Sequence, residues 1–189
     1  MKYTKTTLLA LAAALGLAEA AHADVTYDFT DKGSTFDNET IVSNILLSDA
    51  VSGFDTFMTV SSTSDDLNSN AGGIGVGDDQ IDGTTESITL VFTSDIELNF
   101  VDLGSVGSDA ADGANLTAGA FNIDLFTGVS DFNGTSDIYE PSSALTLSAG
   151  ESIILTGSSS TSSFDLEAVN VSVVPEPSSF ALIAGIFGL

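Results

Sequence analysis

The fold is decided by the stretch Glu86-Ser87-Ile88-Thr89-Leu90-Val91-Phe92. Its large apolar residues recur at every second position from Ile88 to Phe92, which is the period of a β-strand with one buried face. The polar link Thr93-Ser94-Asp95 follows, and the run from Ile96 to Phe100 then repeats the same period. Two such runs joined by a short polar link predict a β-hairpin.

The same alternation recurs on both sides of this stretch, whereas the spacing of an amphipathic helix is almost absent. Further strands are predicted over residues 25–29, 41–47, 54–60, 121–125, 153–155 and 164–173. Between them lie Asp82-Gly83, Asp112-Gly113 and Asn133-Gly134, which are turn sequences that tolerate a positive φ. About eight short strands separated by such turns predict an all-β domain, a single antiparallel β-sandwich of jelly-roll type.

The last predicted strand changes phase within its length. Phe164 and Leu166 share one phase, whereas Val169 and Val171 share the other. One extra residue in a strand reverses its phase, and this is the definition of a β-bulge. The sequence therefore predicts a bulge near Glu167-Ala168.

The N-terminus has the pattern of a secretory signal. Lys2 and Lys5 are followed by an apolar run over residues 6–17 and then by Ala21-His22-Ala23, the small-x-small pattern that signal peptidase accepts. Residues 1–23 are therefore predicted to be a signal peptide, cut so that Asp24 becomes the first residue. The alternative is an uncut membrane anchor, but spanning a bilayer takes about 20 apolar residues and this run is shorter.

Charge excludes several classes of partner. The chain carries a formal net charge of −24, with 27 acidic residues against three Lys and Arg. Removal of residues 1–23 takes away two of the three bases and makes the charge one unit more negative, leaving Lys32 as the base of residues 24–189. Such a surface repels nucleic acid and anionic lipid, so no nucleic-acid partner is expected and divalent cations are favoured. The body over residues 24–173 is long enough for one domain with its own core.

The C-terminal residues 174–189 begin with Val174-Pro175-Glu176-Pro177-Ser178-Ser179-Phe180-Ala181-Leu182. This stretch resembles the PEP-CTERM sorting tail of bacterial surface and extracellular-polymer proteins. The resemblance implies that Pro175, Glu176 and Pro177 form a recognition motif for an exosortase, a membrane-embedded processing enzyme. It also implies export, transient anchoring in the inner membrane, and delivery to the cell surface or to the extracellular matrix of a biofilm.

The tail departs from that family at its end. Twelve residues follow the motif, from Ser178 to Leu189, and they are fewer than the about 20 that span a membrane. The basic cluster that closes the family's tail is also missing before Leu189. Two alternatives remain open: a longer natural chain, or a tail that an exosortase does not process.

The densest group of acids is Asp78-Asp79-Gln80-Ile81-Asp82-Gly83-Thr84-Thr85-Glu86, which follows a Gly-rich run. Ca²⁺ takes several carboxylate and carbonyl oxygens, and glycines let the backbone approach an ion. Asp78, Asp79, Asp82 and Glu86 are therefore a candidate Ca²⁺ site. The spacing does not match an EF-hand, and the alternative is a solvated acidic loop.

An enzyme is not expected. The chain has no Cys, and its one His is His22 in the predicted signal, so Ser-His, Cys-His and His-zinc chemistry lack their residues. The leading hypothesis is therefore a structural or adhesive surface protein, with extracellular polysaccharide as a candidate partner. The first alternative is a jelly-roll carbohydrate-binding module. A glycan-acting hydrolase using two carboxylates is the remaining alternative. Sugar-processing clefts usually have aromatic platforms, and here only Tyr27 and Tyr139 are available besides Phe.

Overall fold

The computed structural model describes residues 23–48, 55–77, 80–106, 113–126, 132–133 and 137–174. Within these ranges the only helix is the four-residue α1 (Gly33–Phe36), and it is far too short to cross a membrane. The strands are β1 (Ala23–Asp28), β2 (Ile41–Ser48), β3 (Asp55–Ser62), β4 (Leu67–Ser69), β5 (Ile74–Val76), β6 (Ile81–Asp82), β7 (Ser87–Phe92), β8 (Ile96–Gly104), β9 (Ala114–Ala118), β10 (Phe121–Leu125), β11 (Phe132–Asn133), β12 (Ile138–Tyr139), β13 (Leu145–Leu147), β14 (Ser152–Gly157) and β15 (Ser163–Val173).

These strands form two antiparallel sheets. The first has nine strands in the order β11-β12-β8-β15-β5-β4, with β1 and β6 also paired to β15 and β13 to β8. The second has six strands in the order β10-β9-β14-β7-β3-β2. The predicted all-β antiparallel sandwich is thus confirmed.

Apolar residues from both sheets make one core. Alternate residues of β7 are buried at 0–1% exposure, and the same holds for Ile153 and Leu155 of the neighbouring β14. In β15 the buried residues include Phe164 and Leu166 before the phase change and Val169 and Val171 after it. Burial of these side chains is the main force that holds the sheets together, at roughly 25 cal/mol for each Å² of apolar surface removed from water.

The hairpin predicted from β7 and β8 is wrong. β7 pairs with β3 and β14 in the six-stranded sheet, whereas β8 pairs with β15, β12 and β13 in the nine-stranded sheet. The link over residues 93–95 therefore crosses from one sheet to the other. Thr93 N–H donates to Phe57 O at 3.0 Å on one side, and Val174 N–H donates to Asp95 O at 2.9 Å on the other. Alternation shows that both strands bury one face, but it does not show whether they share a sheet.

The predicted alternation of β8 is also wrong in the second half of the strand. Ile96 and Leu98 are buried as expected, but Phe100 is only half-buried and Val101 takes the next core position. The register between β8 and β15 slips here, because Asn170 lies opposite Phe100 while Val171 lies opposite Leu98. The extra residue in β8 is a bulge that the sequence pattern did not predict.

The bulge predicted in β15 is confirmed. Leu166 lies opposite Leu103 and Ala168 lies opposite Asp102, so that Glu167 is the extra residue. Glu167 also anchors the end of β1, since its carbonyl accepts a hydrogen bond from Phe29 N–H at 2.8 Å. The bulge keeps the apolar side chains on both sides of it in the core, and it leaves an acidic side chain on the outer face.

Candidate functional site

The outer face of the nine-stranded sheet carries two kinds of polar surface, and the first is a ladder of neutral amide and hydroxyl side chains that ends on the carboxylate of Asp24. Asn99 Nδ2 donates to Asn170 Oδ1 at 2.6 Å and to Ser172 Oγ at 2.8 Å. Asn170 Nδ2 in turn donates to Thr26 Oγ1 at 2.6 Å, and Ser172 Oγ donates to Asp24 Oδ1 at 2.5 Å. These bonds join β8, β15 and β1 on the side that does not face the core.

Further along the same strands the neutral ladder gives way to acids, which we call the carboxylate cluster: Asp28, Asp102, Asp137, Asp165 and Glu167. Register explains part of the grouping, because Ala168 of β15 lies opposite both Asp28 of β1 and Asp102 of β8. The bulge adds Glu167 beside this row. Asp137 joins from the turn before β12, where its carbonyl accepts a hydrogen bond from Leu103 N–H at 3.1 Å.

Asp165 is the buried member of the carboxylate cluster. Its side chain is 5% exposed, and its Oδ1 is covered and has no hydrogen-bond partner among the described residues. Glycines on two sides make room for it. A Cβ on Gly104, the residue opposite in β8, would lie 1.8 Å from Asp165 Oδ1, and a Cβ on Gly72 would lie 2.8 Å from Asp165 Oδ2.

The loop that covers Asp165 is held by Asn70. Its side-chain Oδ1 accepts hydrogen bonds from Gly72 N–H at 2.5 Å and from Gly73 N–H at 3.0 Å. Its backbone N–H donates to Gly73 O at 2.9 Å, which closes a tight turn. A Cβ on Gly73 would lie 2.4 Å from Leu166 O, so this position needs glycine for the turn to sit against β15.

Burial and mutual repulsion shift the ionisation of the carboxylate cluster. Burial raises the pKa of Asp165, and hydrogen bonding from the backbone amides of Asp165 and Gly104 and from Asn70 opposes this only in part. Burial also raises the pKa of Glu167, and the charges of Asp102, Asp165, Asp137 and Asp28 raise it further. Burial is also the main reason why the pKa values of Asp102 and Asp137 are raised.

Asp28 differs from the other members of the carboxylate cluster. It is exposed, and its Oδ1 accepts hydrogen bonds from Thr30 Oγ1 at 2.6 Å and from Thr30 N–H at 2.8 Å. These bonds lower the pKa of Asp28, and the charge of Lys32 lowers it further. Asp28 therefore stays ionised and adds to the negative potential that its neighbours experience.

Because the pKa values of Asp165 and Glu167 are raised, the carboxylate cluster holds a proton more readily than exposed acids do. No group of three or more acidic side chains in the described ranges is arranged to hold an ion. The sequence pattern did not predict this cluster, because its members lie far apart in the chain and come together only through the pairing of strands in the sheet. The one sequence feature that pointed to the cluster was the bulge predicted near Glu167-Ala168, because a bulge places two consecutive residues of a strand on the same face.

The predicted Ca²⁺ loop is described only in part. Asp78 and Asp79 lie outside the described residues. Asp82 and Glu86 do come together, since Asp82 N–H donates to Glu86 Oε2 at 2.7 Å and closes the turn at Gly83, whose φ is 63°. Asp82 Oδ1 is buried without a hydrogen-bond partner in this part of the chain. Ca²⁺ binding at the loop stays a prediction.

The first and last described residues of the domain lie at one end of the sandwich. Ala21 and the motif Pro175, Glu176 and Pro177 lie outside the described residues, whereas Ala23 begins β1. Ala23 lies directly opposite Val173, the last residue of β15. The two segments that continue from the domain therefore leave it from neighbouring positions.

The tyrosines considered as sugar platforms are not free on the surface. Tyr139 is 2% exposed and stacks on Phe121 with ring centroids 6.4 Å apart. Tyr27 is half-buried and meets the ring of Phe29 edge-on at 4.8 Å. A cavity of about 240 Å³ adjoins Tyr139 and Phe121, and it is smaller than the roughly 300–1,000 Å³ usual for ligand pockets.

Comparisons with known proteins assign no family. No protein-family model matches the chain, and no curated protein matches it. Fold and surface together define an antiparallel β-sandwich with an acidic, partly buried carboxylate cluster on its larger sheet.

Proposed function

We propose that this protein is an exported structural or adhesive component of the cell surface or extracellular polymer, delivered through a PEP-CTERM-type tail. Signal peptidase would remove residues 1–23, and an exosortase would recognise Pro175-Glu176-Pro177. The processed domain would then act through its surface rather than through catalysis. The sequence supports this proposal with a signal pattern at one end and the sorting motif at the other.

The observation that carries the proposal is the pairing of the two ends of the processed domain, where Asp24 of β1 lies opposite Ser172 of β15. A chain held first by its signal peptide and later by its C-terminal tail would therefore meet the membrane from the same end of the sandwich. No turn of the domain is then needed between the two steps. The hydrogen bond from Val174 N–H to Asp95 O, at 2.9 Å, fixes the chain as it leaves β15 towards the motif.

This arrangement also gives the domain an orientation. Asp165 lies eight residue steps before Val173 in β15, a distance on the order of 25 Å at the rise of a β-strand. The carboxylate cluster would therefore lie well away from the end of the sandwich that the tail leaves. A surface of this charge would favour solubility and would repel other anionic surfaces.

The experiment is a change of the motif in the complete protein. Pro175-Glu176-Pro177 replaced by three alanines should leave the protein in the membrane fraction, whereas the parent protein is released. The matched control is Glu140-Pro141 replaced by two alanines, because it changes another Glu-Pro pair, one that lies between β12 and β13 with Glu140 exposed and Pro141 half-buried. Equal release of all three proteins would refute recognition of the tail.

A further inference from the structure

We propose that Asp165 and Glu167 form a proton-binding pair, which makes the stability of the sandwich depend on pH at the β8–β15 bulge. The proposal concerns this pair alone, and it holds whether or not the tail directs sorting. Protonation here means that a proton from water adds to one carboxylate oxygen of the pair, so that the pair carries one negative charge instead of two.

The first argument is the position of the two oxygens. Asp165 Oδ1 and Glu167 Oε1 lie 1.8 Å and 2.6 Å from the single point that a Cβ on Gly104 would occupy. Gly104 therefore leaves open the space into which both carboxyl groups extend. Two negative charges so close repel each other strongly, and this favours a proton on one of them.

The buried charge of Asp165 is compensated only in part. Its carboxyl group receives hydrogen bonds from the backbone amides of Asp165 and Gly104 and from Asn70. Its Oδ1, however, is covered and lacks a partner among the described residues, although a buried charge normally requires full hydrogen bonding. The ionisable groups on the neighbouring elements are Asp28 on β1, Asp102 on β8 and Asp137 before β12, and all three are acidic.

Lys32, the base of residues 24–189, does not stabilise the ionised form of Asp165 or Glu167. Lys32 follows β1, and its charge lowers the pKa of Asp28 rather than that of Asp165 or Glu167. Asp31 lies in the same segment, and its backbone N–H donates to Asn70 O in the covering loop at 3.2 Å. The buried pair is therefore left without a cation of the protein.

The covered position of Asp165 Oδ1 favours a proton over a metal ion at this atom, because a metal ion needs room for several oxygen ligands. Three acidic side chains that would hold an ion are also not found within the described ranges. A proton needs no additional space, so it is the occupant that this geometry accepts.

The sign of the effect follows from linkage. An acid whose pKa is higher in the folded state than in the unfolded state binds a proton on folding at intermediate pH. Stability therefore falls as the pH rises from the ordinary carboxyl value, about 4, through the raised pKa of the pair. Within that interval one proton changes the unfolding equilibrium constant by up to about tenfold for each pH unit.

The test uses the full chain and measures the melting temperature from about pH 3 to about pH 8. Asp165→Asn keeps the shape of the protonated acid and removes its charge. We expect this variant to melt above the parent protein at neutral pH, and the difference should shrink towards zero at the acid end. Asp55→Asn is the control, since Asp55 is exposed and lies at the start of β3, and its difference from the parent should stay small and constant.

A second variant and a direct titration cover the case in which Asp165→Asn disturbs packing. Glu167→Gln should reduce the pH dependence in the same direction, and the carboxyl ¹³C shifts of the parent protein should show Asp165 and Glu167 titrating together and above the exposed acids. A pH-independent difference for both variants, or ordinary and independent titration of the two carboxyl groups, would overturn the proposal.

Discussion

Asp165 Oδ1 occupies the space above Gly104 that a side chain at position 104 would fill. The two residues lie directly opposite each other in β15 and β8. An acid can be buried at this point of the sheet because its neighbour has no Cβ. Glycine at position 104 is therefore required for the carboxylate cluster to adopt this conformation.

Gly104→Ala should destabilise the protein by about 1–3 kcal/mol, because the new methyl group would overlap Asp165 Oδ1 and Glu167 Oε1. Urea unfolding measures this change. The control is the same substitution in an Asp165→Ala background, where the more severe overlap is gone and the cost should be clearly smaller. Equal costs in both backgrounds would contradict the stated relationship.

Gly157→Ala should cost more than Gly104→Ala. Its Cβ would lie 2.2 Å from Gly83 O, which is a backbone atom, whereas the obstacles at Gly104 are side chains that can rotate. The clash would also break the hydrogen bond from Gly157 N–H to Gly83 O, now 2.9 Å long. Unfolding free energies of the two variants compare them directly, and the reverse order would show that Asp165 is the more rigid obstacle.

Phe92→Ala should destabilise the protein by about 3–5 kcal/mol, since Phe92 is 1% exposed in the core and its removal leaves a cavity. Phe57→Ala is the matched control. Phe57 lies in the neighbouring strand β3 but is 42% exposed, so its loss should cost about 1 kcal/mol or less. Similar losses for both variants in urea unfolding would mean that β7 does not supply the core.

Ca²⁺ should raise the melting temperature more than Mg²⁺ at equal ionic strength if the loop with Asp82 and Glu86 binds an ion, because Ca²⁺ accepts flexible multi-oxygen sites. The gain would be about 2.7 kcal/mol at a hundred times the dissociation constant. Asp82→Asn should remove the difference between the ions and leave the response to NaCl unchanged. Equal effects of the two ions would identify the segment as a solvated acidic turn.

The turn at Gly83 illustrates how much local sequence could predict. Asp-Gly predicts a positive φ, and Gly83 has a φ of 63°. The same sequence did not predict that Glu86 closes this turn by accepting a hydrogen bond from Asp82 N–H. Turn type depends on the residues at the turn, whereas side-chain hydrogen bonds depend on how the flanking strands are placed.

By itself the sequence determined eight of the fifteen strands in the described ranges, the core positions of β7, and the bulge at Glu167, because each depends on an alternation that is local in the chain. The other seven strands, most of them only two or three residues long, were not predicted, because so short a run shows no clear alternation. Only the tertiary structure decided that β7 and β8 lie in different sheets, since both pairings bury the same apolar faces. It also decided that Asp28, Asp102, Asp137, Asp165 and Glu167 form one cluster. Which residues become neighbours depends on the register between strands that are distant in the sequence. The energetic cost of burying Asp165 depends on those neighbours, so it cannot be predicted from the residue alone.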